Sequence, residues 1–84
     1  MYEILLLPGA RKDLDKLETR IFNRIIGEIR LLSENPRPFG GLKLTKEEGY
    51  RIRAGDFRIL YRIDDAAKKV FIYRVKNRRD AYRA

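Results

Sequence analysis

Three closely spaced arginines are the residues of this sequence with the clearest capacity for chemistry. Arg51, Arg53 and Arg58 lie on both sides of a Gly-Asp pair, in a stretch where apolar and cationic side chains alternate. A guanidinium stays charged at physiological pH and matches phosphate oxygens with two parallel hydrogen bonds. The arginines therefore predict an anion site, most economically for a polyanion. The alternative is a solvated face on which long cationic side chains cover apolar neighbours.

The alternation around these arginines is typical of a β-hairpin. With Gly55-Asp56 as a two-residue loop, glycine in the first position suits a type II′ turn. The register that follows pairs Ala54 with Phe57, Ile52 with Ile59, Tyr50 with Tyr61, Arg53 with Arg58, and Arg51 with Leu60. One face is then apolar, and the other carries all three arginines. Because like charges directly opposite each other destabilise a hairpin, we expect an anionic partner on the arginine face.

Hydrophobic patterning elsewhere predicts the elements that support the hairpin. A short apolar strand over residues 2–7 ends at a Pro-Gly pair, and two amphipathic helices follow it as far as Asn35-Pro36. A short strand at 42–44 precedes the hairpin, and a β-branched and aromatic run at 70–75 forms the last strand. The order β-α-α-β-β-β-β predicts an α+β fold. Its antiparallel sheet, mixed at the first strand, has about four to five strands and an N-terminal helical hairpin packed on one face.

Composition limits the classes of function. At 84 residues, we expect residues 1–84 to form a single domain around one core. Twenty Lys and Arg against twelve Asp and Glu give a net charge of +8, which favours nucleic acid or an acidic protein as partner over a membrane surface. The chain has no Cys and no His, which argues against thiol chemistry and against a metal centre.

The sequence also has neither a membrane-spanning segment nor a signal-peptide pattern. No apolar run approaches the roughly 20 residues that span a bilayer, and the first residues lack the basic start and cleavage site of a signal peptide. We therefore expect a cytoplasmic protein without a membrane partner.

The C-terminal segment repeats the chemistry of the hairpin. Residues 76–84 hold four cations and one aromatic residue, too polar a composition for a core. One interpretation is a frayed, solvated tail. The other interpretation is that Arg78 and Tyr82 lie at the edge of the arginine face, because the segment directly follows the last strand.

The order of these features resembles the RelE/ParE superfamily of type II toxins, and within it the RelE-like mRNA interferases. In RelE-like members one strand carries a basic-apolar-basic triplet, the next an arginine within an apolar-Arg-apolar-apolar-Tyr pattern, and the tail an arginine followed closely by a tyrosine. The corresponding residues here are Tyr50-Arg51-Ile52-Arg53, Phe57-Arg58-Ile59-Leu60-Tyr61, and Arg78 with Tyr82. The likeness covers the whole chain.

This resemblance implies a ribosome-dependent endoribonuclease that cleaves mRNA in the A site without metal or cofactor. The 2′-OH of a nucleotide attacks the adjacent phosphate, so the reaction needs charge stabilisation of the phosphorane. The catalytic residues that it implies are Arg51, Arg53, Arg58, Arg78 and Tyr82, with Tyr82 stacking on or orienting a base. The cations expected to contact RNA or the ribosome are Lys43, Lys46, Arg62, Arg74, Lys76 and Arg79.

The resemblance also implies the partners. A cognate antitoxin would hold the toxin inactive, through an acidic or amphipathic segment that wraps the helices and the sheet edge. The ribosome and mRNA would be the targets, and operator DNA would be reached only indirectly, through the antitoxin complex.

Two departures from the family pattern leave the proton acceptor open. Arginines, which are effectively never deprotonated, occupy triplet positions where close relatives can have lysines, and Asn77 stands where other relatives have histidine. The remaining candidates are Tyr82, Lys76, Glu47 and Glu48. Two other functions stay open: a ParE-like DNA gyrase poison, against which the full arginine set argues, and an inactive homologue that only binds antitoxin.

Overall fold

The computed structural model describes residues 1–44 and 49–77 of the chain. The elements in chain order are β1 (Glu3–Leu6), α1 (Pro8–Asp15), α2 (Thr19–Leu31), β2 (Leu42–Lys43), β3 (Tyr50–Ala54), β4 (Phe57–Asp64) and β5 (Lys69–Asn77). These strands form one sheet in the order β1-β5-β4-β3-β2. β1 is parallel to β5, and the other neighbouring strands are antiparallel. The predicted α+β fold with a mixed first strand is confirmed.

Both helices pack on one face of the sheet. α1 begins at Pro8, which suits the first turn because the missing N–H would have no partner inside the helix. α2 buries Ile25 and Ile29, one turn apart, against the sheet. The core residues are Ala10, Leu14, Ile25, Ile29, Leu32, Ile52, Ala54, Ile59, Tyr61, Val70, Ile72 and Val75. In the described part of the chain, neither helix has the length and apolarity needed to cross a membrane.

The β3–β4 hairpin has the predicted register. Tyr50 is opposite Tyr61, and Arg53 is opposite Arg58. Gly55 has a φ of 61°, while Lys68 is the only non-glycine residue with positive φ in the described ranges. The second turn residue, Asp56, therefore does not have the positive φ that a type I′ turn would require, and the turn agrees with type II′.

A β-bulge sets the register between β4 and β5. Leu60 pairs with Arg74 and Tyr61 pairs with Ile72, so Tyr73 is the extra residue. Ile72 and Val75 are three positions apart, and simple alternation would place them on opposite faces. The bulge instead places both in the core. It also brings the residue after Val75, Lys76, opposite Arg58 on the other face.

Candidate anion-binding site

Four cations lie together on the sheet face away from the helices. Residues directly opposite each other share a face, so Arg53, Arg58 and Lys76 form a row across β3, β4 and β5. Arg51 lies on the same face, opposite Leu60. We call these four residues the basic cluster. Arg51, Arg53 and Arg58 thus lie on one face as the sequence predicted, and Lys76 joins them.

No carboxylate of the described residues forms an ion pair with a member of the basic cluster. Burial lowers the pKa of Arg51 below its ordinary value, and the charges of Arg53 and Arg58 lower it further. Within the described ranges, the ion pairs are Arg37 with Asp65 and Arg74 with Asp13, and neither includes a cluster residue. A ligand with several negative charges would supply what this face lacks.

In the basic cluster, Arg58 has a hydrogen-bond donor that such a ligand could satisfy. Its Nε atom is buried and has no hydrogen-bond partner within the described part of the chain. A buried donor without an acceptor costs about 1–3 kcal/mol. Leu60, two residues further along the same face, is only 3% exposed. Its apolar surface keeps water from part of this face, which strengthens electrostatic interactions there.

The other predicted RNA-contact residues are dispersed. Arg62 lies opposite Phe71, and its guanidinium carbon is 5.6 Å from the centroid of that ring. Lys43, in the edge strand β2, is opposite Tyr50 and therefore belongs to the helix-facing side of the sheet. The predicted residues that lie outside the described ranges are Lys46, Glu47, Glu48, Arg78, Arg79 and Tyr82. Their roles stay predictions.

Arg74 is held by a carboxylate of α1. Its Nε donates to Oδ2 of Asp13 at 2.8 Å, and its Nη2 donates to Oδ1 at 3.2 Å. The backbone N–H of Val75 donates to Oδ2 at 2.8 Å. Burial by itself raises the pKa of Asp13, but these hydrogen bonds and the nearby positive charge outweigh it and leave the pKa below its ordinary value.

Asp13 joins α1 to the sheet. Its side chain is only 14% exposed, and its contacts with Arg74 and Val75 tie α1 to β5. The charge of Arg74 is compensated there, so Arg74 is a weaker RNA-contact candidate than the cluster residues. The two partners are 61 residues apart in the chain, and no local signal connects them.

A second ion pair, also not predicted, lies at the end of the hairpin away from its turn. Arg37 donates to both carboxylate oxygens of Asp65, at 3.1 and 2.9 Å, and the Tyr2 hydroxyl donates to Oδ1 at 2.6 Å. The hydrogen bonds from Arg37, then that from Tyr2, hold the pKa of Asp65 at about 2. The Arg37 guanidinium also lies 5.3 Å from the centroid of the Tyr50 ring. This group joins the loop after α2 to the sheet and is fully paired, so it is structural.

An apolar groove of about 200 Å³ adjoins the basic cluster. Leu31 and Phe39 are among its lining residues, and Arg53 lines it as well. Leu31 is 58% exposed and Phe39 is fully exposed. The charged residues of the lining are Arg53 and Glu28, one of each sign, and the other lining residues are apolar or glycine. In residues 1–44 and 49–77, no three acidic side chains are grouped so that they could hold a metal ion.

The fold and the site together define a small basic protein with a cluster of cations on one sheet face, and comparison with known proteins gives its family. The family model described as "ParE toxin of type II toxin-antitoxin system, parDE" matches residues 4–82. Toxin RelG of Mycobacterium tuberculosis is 38% identical over 85 residues, covering 98% of this chain and 97% of that protein. The chain therefore belongs to the RelE/ParE superfamily of type II toxins, as the resemblance predicted.

Solved structures agree with this family. A chain of the toxin–antitoxin complex RelBE2 from M. tuberculosis matches with a TM-score of 0.80 and 37% identity, over 90% of this chain and 96% of that chain. A chain of the archaeal RelE–RelB complex from Pyrococcus horikoshii matches with a TM-score of 0.80 and 27% identity, over 99% and 98% of the two chains. The RelE-like form of the fold is therefore confirmed.

Proposed function

We propose that this toxin is a ribosome-dependent endoribonuclease that cleaves mRNA in the A site and so inhibits translation. The observation that carries the proposal is the cationic row of Arg53, Arg58 and Lys76, which has no ion-pair partner among residues 1–44 and 49–77 and has the buried donor of Arg58 at its centre. A phosphate with developing negative charge matches this row in charge and in hydrogen-bond geometry. The similarity to RelE proteins supports the same activity.

The proposed reaction is an internal phosphoryl transfer. The 2′-OH loses its proton to a base, its oxygen bonds to the adjacent phosphorus, and the bond from phosphorus to the 5′ oxygen breaks. The leaving 5′ oxygen takes up a proton, so the products are a cyclic phosphate and a 5′-OH. Arg58 and Arg53 would bind the non-bridging oxygens, where charge accumulates in the transition state.

Among the four candidates for the proton acceptor, we propose Lys76. It lies directly opposite Arg58, in the row formed with Arg53. Lysine, unlike arginine, is a residue type that serves as a general base in proteins. Arg51 would contribute to the positive field, and Arg78 and Tyr82 would complete the site from the C-terminal segment.

The proposed partners are a cognate antitoxin, the ribosome and mRNA. The similar RelE proteins were crystallised with antitoxins. Here the groove beside Arg53 offers exposed apolar side chains next to a cation, in a chain of net charge +8. An amphipathic acidic segment matches that surface, and its binding would cover part of the basic cluster.

Cleavage of mRNA on stalled ribosomes tests the function. We would map new 3′ ends by primer extension on ribosomes stalled at a defined codon, with wild type, Arg58→Ala and the matched control Arg30→Ala. Arg30 is an exposed arginine in the last turn of α2, away from the basic cluster. Wild type and the control should cut within the A-site codon, and Arg58→Ala should cut about 10²–10³-fold more slowly. Folded wild-type protein that leaves the mRNA intact would refute the proposal.

A gyrase poison is the second candidate, because the matching family model is that of ParE toxins. The same protein preparations would be added to a DNA gyrase supercoiling assay. Our proposal expects unchanged supercoiling with all three proteins. Trapped gyrase–DNA complexes together with intact mRNA would favour the second candidate instead.

A further inference from the structure

The tip of the β3–β4 hairpin has a cation on its helix-facing side as well. A Cβ atom placed on Gly55 would lie 2.9 Å from Nη1 of Arg24 and 3.4 Å from its Cζ. The guanidinium of this α2 residue therefore lies directly against the turn. Arg53 and Arg58 flank the same turn on the opposite face of the sheet. The hairpin tip thus carries arginines from both layers of the fold.

Arg24 has no ion-pair partner among the residues that the structure describes. It is exposed, and it belongs to neither of the ion pairs found in the described ranges. Asp56, the carboxylate of the turn itself, does not pair with it. Gly55, with its φ of 61° and no side chain, leaves room for the guanidinium beside the backbone. Arg24 is therefore positioned by the turn while its charge stays available to a ligand.

We propose that Arg24 contacts a phosphate of RNA, so that the RNA-binding surface continues from the basic cluster around the hairpin tip onto α2. This inference rests on the proposed function, which makes RNA the ligand of the cluster. A nucleic-acid strand carries a phosphate at every nucleotide, so a strand held at Arg58 presents further phosphates to cations beside it. Arg24 is thus a phosphate-contact residue, distinct from the groups that act on the scissile bond.

Ribosome binding without cleavage tests this role directly. The probe is a purified ribosome stalled on an mRNA with 2′-O-methyl groups in the A-site codon, which blocks attack by the 2′-OH. The variants are Arg24→Gln and the matched control Arg20→Gln, an exposed arginine one turn earlier in α2. Arg24→Gln should raise the dissociation constant about threefold to tenfold, the loss of one charged hydrogen-bonded contact. The control should stay within about twofold.

The salt dependence identifies the lost contact as one to phosphate. Each contact to a single strand contributes a slope of about −0.7 to the logarithm of affinity against the logarithm of salt concentration. A fourfold rise in salt should therefore weaken wild type about 2.6-fold more than Arg24→Gln. Arg24→Lys, which keeps the charge, should restore most of the wild-type slope. Equal affinities and slopes for Arg24→Gln and Arg20→Gln would overturn the inference.

The same preparations separate the two proposals. Wild type that binds the ribosome but leaves a cleavable mRNA intact would refute the endoribonuclease, while the binding data would still decide the role of Arg24. Wild type that does not bind the ribosome would overturn the role of Arg24 as well. Thermal unfolding of each variant, expected within a few degrees of wild type because both arginines are exposed, excludes misfolding.

Discussion

Replacement of Arg58 by glutamine should stabilise the free protein while it removes a side chain that the proposed reaction needs. Arg58 lies directly opposite Arg53 on one side and Lys76 on the other. Each like-charged pair across a sheet costs about 0.2–1 kcal/mol. The substitution also removes an Nε atom that is buried without a hydrogen-bond partner among residues 1–44 and 49–77. Glutamine keeps part of the aliphatic stem, so the loss of packing is small.

Relief of the two repulsions should contribute about 0.5–1 kcal/mol to the free energy of unfolding, because solvent screens these partly exposed charges. For a domain of this size, about 1 kcal/mol corresponds to about 4–8 °C in Tm. Arg58→Gln should therefore melt about 2–8 °C above wild type at low salt. The gain should shrink at high salt, since the screening length falls from about 30 Å at 0.01 M to about 3 Å at 1 M.

Thermal unfolding followed by circular dichroism at both salt concentrations is the assay. Arg30→Gln is the control, because it changes the net charge equally but removes no cation from the basic cluster. Its unfolding free energy should stay within about 0.5 kcal/mol of wild type. A lower Tm for Arg58→Gln at low salt, or a gain that salt does not change, would refute the idea that repulsion within the cluster destabilises the free protein.

Two further predictions concern the scaffold. Gly49 has a φ of 102°, and an added Cβ would collide with the carbonyl oxygen of Tyr61, so Gly49→Ala should lower the urea-unfolding free energy by about 2 kcal/mol or more. Gly27→Ala, at an open position in α2, should raise it by about 0.5–1 kcal/mol, and equal effects of the two changes would contradict this explanation. Asp13→Asn should cost about 1–2 kcal/mol at neutral pH. The pKa of Asp13 is lower in the folded protein than in the unfolded chain. Its contribution to the free energy of unfolding is therefore fully present above the unfolded pKa, at about pH 4, and is lost as pH falls through the folded pKa. Equal stability of wild type and Asp13→Asn at pH 7 would show that Asp13 does not stabilise the fold.

The hairpin could be predicted from sequence because two independent constraints agree on it. The two-residue turn fixes which residues are opposite, and the period-two pattern requires one apolar face. Both place Arg51, Arg53 and Arg58 on one face, as found. The helices follow from amphipathic patterns of similar clarity.

The remaining features depend on tertiary contacts that local patterns do not encode. Lys76 joins the basic cluster because a bulge at Tyr73 changes the alternation of β5, and no turn motif marks that bulge. The face on which Lys43 lies could not be predicted, because a two-residue strand has too little pattern to fix its register. In the structure Lys43 lies on the helix-facing side. Asp13 and Arg24 acquire their contacts through the packing of helices on the sheet.

Arg53 belongs both to the basic cluster and to the wall of the apolar groove. If the antitoxin occupies the groove and RNA occupies the cluster, the two ligands share one side chain, and their affinities are thermodynamically linked. Linkage is reciprocal: the factor by which antitoxin weakens ribosome binding equals the factor by which the ribosome weakens antitoxin binding. The affinity of antitoxin for a toxin molecule bound to the ribosome would be lower by that same factor. Inhibition would therefore depend on the concentration of free ribosomes as well as on that of antitoxin.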